Sequence, residues 1–357
     1  MEDLNLIMML KATRDLSKYA FCQPHNSDRY FPPSHEVDNE STNLSSREAT
    51  PYMLPETEAD KEDSSHRIQL TFTQRPKNIR EGYVFGSDPR VYDILLGNRG
   101  CNRLSNWHFC ITFDEQKRVV LRDFSRWGTS VSYDGQARNQ IRHHFTWIIN
   151  FNDEKVDFKT IEVRIAGRDP LTFEIKLAEH KTCKDEYGLR LNSYLEESRT
   201  ALPLFNMLRI YSQETTAAPT QPLSPGQHPI YVKSEEVGQG EFGRVYRVKD
   251  VSTGLSFAGK TFLSDCQREV EIMRGVSHLS MFIYTVVQQC LTGEKEHIVQ
   301  FMNFTEEPVP MLVMEYLPLG SMIDLHQESP ITVEETITIL HQGLRALEYL
   351  HFEGIAH

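Results

Sequence analysis

Between residues 66 and 180 the sequence breaks into short runs rich in β-branched and aromatic residues: IQLTFT, YVFGS, YDILLG, HFCITFD, VVLRDFS, TSVSYDG, FTWIIN, TIEVRIAG and FEIKL. Turn-forming stretches such as FDEQKR, YDGQ and AGRDP separate them. Runs of this length, evenly spaced and punctuated by turn chemistry, predict a β-sandwich or barrel. The pattern fades on both sides. Residues 1–65 hold one apolar run, LNLIMMLKATRDLSKY, which reads as a short helix. A polar, acidic, Pro/Ser/Thr-rich stretch follows that cannot bury enough apolar surface to offset chain entropy. We read 1–65 as mostly disordered. Residues 181–229 read as a linker, partly helical over LNSYLEESRTALPLFNMLRIY, then Pro/Thr-rich and extended.

From residue 230 the class changes to strand, glycine-rich turn and strand, then helix. VGQGEFGRV sets Gly238, Gly240 and Gly243 in a GxGxxG pattern followed by Val245. Such a hairpin lets backbone N–H groups approach phosphates without a Cβ in the way. Taken alone, it reads equally well as a glycine hairpin with no ligand. Further on, FAGKTF places Lys260 in a β-like run, where it can pair with the phosphates of a nucleotide. The helical CQREVEIMRG supplies Glu269 to hold that lysine. HIVQFMNFT and PMLVMEYL read as strands, and TVEETITILHQGLRALEYLH as a strong helix. In that helix Thr332 and Glu335 form a capping-box pair, Ile337, Leu340, Leu344 and Leu347 form one stripe, and Gly354 is placed to end it.

Charge and composition narrow the class. The net charge of −12 makes the whole chain a poor match for nucleic acid or an anionic membrane. The LNLIMML run is too short to span a bilayer. The scattered cysteines lack a CxxC pair and fit a reducing compartment, so a cytoplasmic or nuclear protein is expected, with no metal site.

In this order the glycine loop, strand lysine and helix glutamate resemble the first half of the protein-kinase signature. The resemblance implies an N-lobe and the first C-lobe helix of an ATP-dependent Ser/Thr kinase. In that family the residue matching Val245 packs on adenine and Ala258 lies above the ring. Within LVMEYLPLGS, Met314 matches the gatekeeper, and the backbones of Glu315 and Leu317 match the hinge contacts to adenine. GIAH resembles the lead-in to the catalytic loop, with His357 as its histidine. The catalytic aspartate and the Mg²⁺-binding segments would follow, so Mg²⁺ belongs only to a full-length form. The chain as written is expected to lack phosphotransfer activity. LSMFIYTVVQQCLTGEKE interrupts the family pattern between Ser277-His278 and HIV. Residues 280–295 read as a translated intron, since Ser280-Met281 can be encoded with GTATG and Cys290-Leu291-Thr292 with CTGAC. Excision would rejoin VSHLKHIVQF. A genuine family-specific loop is the alternative.

In the β-rich region FGS, SNWHF and LRDFSRWGTSV resemble the forkhead-associated domain, a sandwich whose apical loops bind phosphothreonine. The resemblance implies that Ser105 donates to phosphate, that Asn106 and Arg126 contact the ligand, that Gly128 and Thr129 shape the turn, and that His108 braces the loop. Two positions depart from the family. Ser87 stands where it usually has a phosphate-binding arginine, and Trp127 where it has an asparagine. Arg90, Arg103 and Arg126 are the candidates to compensate.

The fold class is therefore a multidomain chain, an all-β sandwich followed by an α+β kinase N-lobe with the first C-lobe helix. The combination resembles fungal checkpoint effector kinases. That implies phosphothreonine-containing proteins as partners, protein substrates for a full-length form, phospho-dependent self-association, and no nucleic acid or membrane. Thr73-Gln74, Ser212-Gln213 and Thr220-Gln221 are SQ/TQ pairs, which damage-sensing kinases phosphorylate in that family. Thr73 is expected inside a strand, and the other two in the linker. The alternative function is a non-catalytic phosphopeptide-binding adaptor with a remnant kinase lobe.

Overall fold

The structure is a computed structural model that describes the 357-residue chain except residues 1–2, 34–64, 91, 99–103, 154, 166–169, 181, 202–227, 241–242, 263–267, 275–297, 307, 320–321, 323–325, 328 and 356–357. His357, Arg103, Ser212, Thr220, the proposed intron and most of the acidic N-terminal stretch lie outside the described residues. The chain divides into two compact units, one of residues 1–232 with 251–254, the other of 233–250 with 255–357.

The first unit is a β-sandwich. One sheet has six strands in the order β2 (Tyr30–Phe31), β3 (Arg67–Thr71), β1 (Leu6–Ala12), β11 (Leu171–Leu177), β10 (Ile161–Ile165) and β8 (Thr129–Tyr133), and the other five in the order β5 (Ile94–Leu95), β4 (Tyr83–Gly86), β6 (Trp107–Phe113), β7 (Val119–Asp123) and β9 (Thr146–Ile148). In β10 (Ile161–Ile165) the alternation of IEVRI puts Ile161, Val163 and Ile165 inward, as a half-buried strand requires. The sheets meet through aromatic rings. Phe85 of β4 (Tyr83–Gly86) and Phe109 of β6 (Trp107–Phe113) stack at 4.6 Å, and both reach Phe173 of β11 (Leu171–Leu177), at 6.4 and 6.0 Å.

The N-terminal segment corrects the sequence reading. Leu6–Ala12 is a strand, β1, in the interior of the six-stranded sheet, and the helix α1 covers only Asp15–Phe21. β1 pairs antiparallel with β11 and with β3 (Arg67–Thr71), burying Ile7, Met8 and Leu10. A short apolar run fits either period, and the two strand edges that flank it decide the outcome by satisfying its backbone. The sandwich thus draws on residues well before 66.

A second correction concerns residues 184–200. This helix, α2 (Lys184–Thr200), has Asp185 and Glu186 in its first turn and Arg199 in its last, which suits the helix dipole. Tyr187, Leu191 and Tyr194 recur at spacings of four and three. Leu191 and Tyr194 are buried, and Tyr187 and Tyr194 pack against Phe72 at 5.4 and 5.9 Å. The helical part of the expected linker is therefore docked on the sandwich.

Thr73 is the third correction, being exposed in a bend beyond the end of β3. The ladder with β1 ends at the Leu6–Thr71 pair. The Gln74 N–H then turns back to Thr71 Oγ1 (3.1 Å), while Arg29 donates to the carbonyls of Gln74 and Arg75 at 2.6 and 3.0 Å.

The second unit contains a five-stranded sheet in the order β12-β13-β14-β16-β15. Its strands are β12 (Tyr231–Gly240), β13 (Gly243–Asp250), β14 (Ser256–Phe262), β15 (Phe301–Thr305) and β16 (Met311–Glu315). The helix α3 (Val333–Phe352) begins on the expected capping box. Glu335 N–H donates to Thr332 Oγ1 (3.2 Å) and Thr332 N–H to Glu335 Oε2 (2.8 Å). It ends at Gly354, φ +75°, where the Gly354 N–H reaches His351 O and the Ile355 N–H reaches Leu350 O, a Schellman motif. The apolar stripe faces solvent: no residue of α3 is buried, and Leu344 is 65% exposed.

Candidate functional site

The β13–β14 hairpin sets the register of the first candidate site. Val245 pairs with Lys260 and Arg247 with Ala258. On the other side of β14, Ala258 pairs with Met314 and Lys260 with Leu312. Directly paired residues share a face of an antiparallel sheet, so Val245, Ala258, Lys260 and Met314 lie on one face. Gly238 and Gly240 end β12 with open space around them, where a Cβ would meet no atom within 4 Å. Gly243 is the opposite. Its Cβ would lie 2.1 Å from the Thr261 carbonyl oxygen, so β13 can approach β14 this closely only with glycine there.

Lys260 and Glu269 meet. The Lys260 Nζ donates to both carboxylate oxygens of Glu269, at 2.6 and 2.8 Å, across from the helical residues 268–274. The ammonium is 19% exposed and the carboxylate 40%, so the pair is partly shielded from solvent yet reachable. A doubly held ammonium on a strand is a fixed point of positive charge, suited to phosphate oxygens.

After β16 the chain runs through Tyr316 and the exposed Leu317. The Glu315 N–H donates to Gln300 O (3.0 Å), and its carboxylate accepts from the Gln300 N–H (2.9 Å). Any adenine contact by Glu315 therefore falls to its carbonyl. Sequence reading missed Arg247. It is 8% exposed, lies over the Tyr316 ring at 5.2 Å, and bonds Glu235 (3.4 Å) and Ser256 (3.2 Å). A charged residue inside a strand pattern gives no local sign of such a role.

The second candidate site lies at the loops of the sandwich. Ser105 Oγ accepts from the Arg126 N–H (3.0 Å), which ties the two loops together and leaves the Ser105 hydroxyl proton to donate outward. The Ser105 N–H donates to His108 Nδ1 (3.2 Å). His108 is fully buried, and burial pushes its pKa down to about 4, so it is neutral and its Nδ1 serves as an acceptor. The bond ties the backbone at Ser105 to the buried ring.

The two departures resolve differently. Ser87 is buried, and its hydroxyl donates to the Asn106 side-chain oxygen (3.3 Å), leaving the Asn106 amide NH₂ as donor. It orients a neighbour instead of presenting a cation. Arg90 does not take the arginine's place, because its Nε and Nη2 are both bound to Asp88, at 3.1 and 2.9 Å. Trp127 is 41% exposed, and the Arg126 guanidinium lies over its ring at 5.7 Å. The rim at Ser105 and Asn106 thus has a cation and an aromatic face beside it.

Asp123 is a second residue that sequence reading missed. Buried at the base of the 125–129 turn, it accepts from the Ser125 N–H (3.0 Å), the Ser125 hydroxyl (2.9 Å), the Thr129 hydroxyl (2.5 Å) and the His144 N–H (3.2 Å). Ser125 Oγ in turn accepts from the Gly128 N–H (2.7 Å). The D-x-S spacing is an Asx-turn signal that could have pointed to it.

Comparison with known proteins bears on the second unit first. The family described as "Protein kinase domain" matches residues 231–357. Residues 231–357 carry a protein kinase domain. Around this kinase domain the likeness extends further. Serine/threonine-protein kinase RAD53 of Saccharomyces cerevisiae is 25% identical over 297 residues, covering 79% of this chain and 31% of that protein. Smooth-muscle myosin light chain kinase of Gallus gallus is 27% identical over 131 residues, 36% of this chain and 6% of that protein. The chain spans less than a third of the length of either relative. A solved structure, the crystal structure of Rad53 1-466 in complex with AMP-PNP, is 19% identical and covers 82% of this chain and 64% of its own, with a TM-score of 0.35. That superposition is too loose to bear on either site.

Proposed function

We propose that the chain binds ATP through its kinase domain, as part of a Ser/Thr kinase, and phosphothreonine peptides through the loops of its sandwich. The Lys260–Glu269 pair carries the reading. A strand ammonium fixed by two short contacts, on the face that also holds Val245, Ala258 and Met314, combines a phosphate anchor with an apolar bed for adenine.

The residues present fit the nucleotide. Lys260 would hold the α- and β-phosphates, and the open backbone at Gly238 and Gly240 would cover them. Met314 would bound the pocket, and the Glu315 carbonyl and the Leu317 backbone would read the adenine edge. Bound ATP supplies the transferable phosphoryl group. Glu269 keeps the lysine oriented, and no residue of this chain is assigned to Mg²⁺. In the sandwich, Ser105 and the Asn106 amide donate to phosphate oxygens while Arg126 supplies charge from the rim. Partners carrying phosphothreonine, protein substrates of a longer form and phospho-dependent self-association follow from the same reading.

Fluorescent-ATP titration of the full chain tests the first half. Saturable binding weakened at least tenfold by Lys260→Met supports it, and affinity unchanged by that substitution rejects it. Phosphothreonine-peptide titration tests the second half, read by tryptophan emission because Trp127 borders the rim. Affinity that ignores both Ser105→Ala and Arg126→Ala rejects the proposed rim.

A further inference from the structure

Thr73 is exposed in its bend and borders a cleft of about 310 Å³ between the end of β3 and α2. The cleft has room for on the order of ten waters, more than a phosphate group needs. Two arginines line it with Thr73. Arg75 comes from the same bend and Arg190 from α2, with Ser193 as a further hydroxyl donor. Both arginines are exposed. Arg190 donates to the Asn5 side chain, and Arg75 is ion-paired with Glu197. A third arginine, Arg29, is committed to the carbonyls of Gln74 and Arg75. Arg75 and Arg190 are the cations that line the cleft, and Glu197 is the acidic partner of Arg75. The seam is otherwise closed by Phe72 against Tyr187 and Tyr194.

We propose that Thr73 is a phosphoacceptor whose phosphate is held by Arg190 and Arg75, latching α2 to the sandwich. The donor is ATP, used by a separate protein kinase. A bond forms between Thr73 Oγ1 and the γ-phosphorus as the bond from that phosphorus to the β–γ bridging oxygen breaks. ADP leaves, and the hydroxyl proton passes to the general base of that enzyme. The product carries close to two negative charges and three acceptor oxygens. Arg190 reaches it from the helix and Arg75 from the bend, so the phosphate bridges two elements now joined mainly by aromatic packing. It competes with Glu197 for Arg75, whereas Arg190 gives up only a neutral amide. Arg190 is therefore the stronger of the two holds.

The test compares full chains with and without phosphothreonine placed at position 73 by genetic encoding. Hydrogen exchange of residues 184–200 should slow by about tenfold on phosphorylation, and Arg190→Gln should abolish the slowing. The ³¹P titration of the phosphate should fall below the value near 6 of a free phosphothreonine and return toward it in Arg190→Gln. A free-peptide titration indifferent to Arg190, or unchanged exchange, overturns the latch. A yeast extract supplied with ATP should phosphorylate the full chain at Thr73, read by mass spectrometry against Thr73→Val, and absence of phosphate there overturns the acceptor role. Because Arg190 lies outside both sites proposed above, these outcomes are independent of nucleotide and phosphopeptide binding.

Discussion

Lys260 Nζ lies 2.6 and 2.8 Å from the two carboxylate oxygens of Glu269. The carboxylate is the less buried partner, so its worth lies in aiming the ammonium more than in holding the fold. Glu269→Gln should leave thermal stability within about 0.5 kcal/mol and weaken nucleotide binding by roughly tenfold. Isothermal titration of wild type and variant, beside their melting curves, checks both halves.

Gly243 and Gly238 belong to one motif but face different neighbours. Gly243→Ala drives a methyl into the Thr261 carbonyl, 2.1 Å away, and should cost about 1–3 kcal/mol by parting β13 from β14. Gly238→Ala meets no neighbour within 4 Å and should be nearly neutral for stability, while its methyl stands in the path of a phosphate. Hydrogen exchange of the β14 amides separates the two variants.

His108 makes the sandwich sensitive to acid. Its pKa is about 4 when folded and 6.5 when free, so between those values the unfolded chain binds more protons. Stability from this residue is present above pH 6.5 and is lost as pH falls toward 4, by up to about 3 kcal/mol. Asp123, raised by burial, acts in the opposite sense from pH 3.8 upward, so the difference between wild type and His108→Gln is the informative quantity. All three tryptophans (Trp107, Trp127 and Trp147) lie in this unit, and urea unfolding followed by their emission at pH 5 and pH 7 measures it in the full chain. The pH dependence should shrink in the variant.

The two long helices should differ in how much a charge on their apolar residues costs. Leu191 of α2 is 6% exposed, and Leu191→Asp should cost about 3 kcal/mol or more. Leu344 of α3 is 65% exposed, and Leu344→Asp should cost under about 0.5 kcal/mol. Chemical denaturation of each variant decides the matter.

Legibility in the sequence followed physical range. The strands over 66–180 were readable because alternation is local, and α3 was readable at both ends because Thr332, Glu335 and Gly354 act within one turn. Lys260 and Glu269 were readable as a pair because the order of glycine loop, strand lysine and helix glutamate resembles the protein-kinase signature. β1 was misread because its seven residues satisfy either period, and its partners lie far along the chain. The docking of α2 was hidden for the same reason, since Phe72 and Tyr194 find each other only in the fold. Ser87 reads as a departure from the family motif in the sequence, but its bond to Asn106 and the fastening of Arg90 to Asp88 are facts of geometry alone.

The position of β1 also sets an order of events in time. Met8 pairs with Leu177, so β1 leaves the ribosome well before the last strand of the sandwich and must wait for it before its sheet can close. Pairings this distant make for slow folding. Until then β1 presents the edge meant for β11 to other nascent chains. A fragment begun at residue 66 would lack β1 and leave the facing edges of β3 and β11 bare.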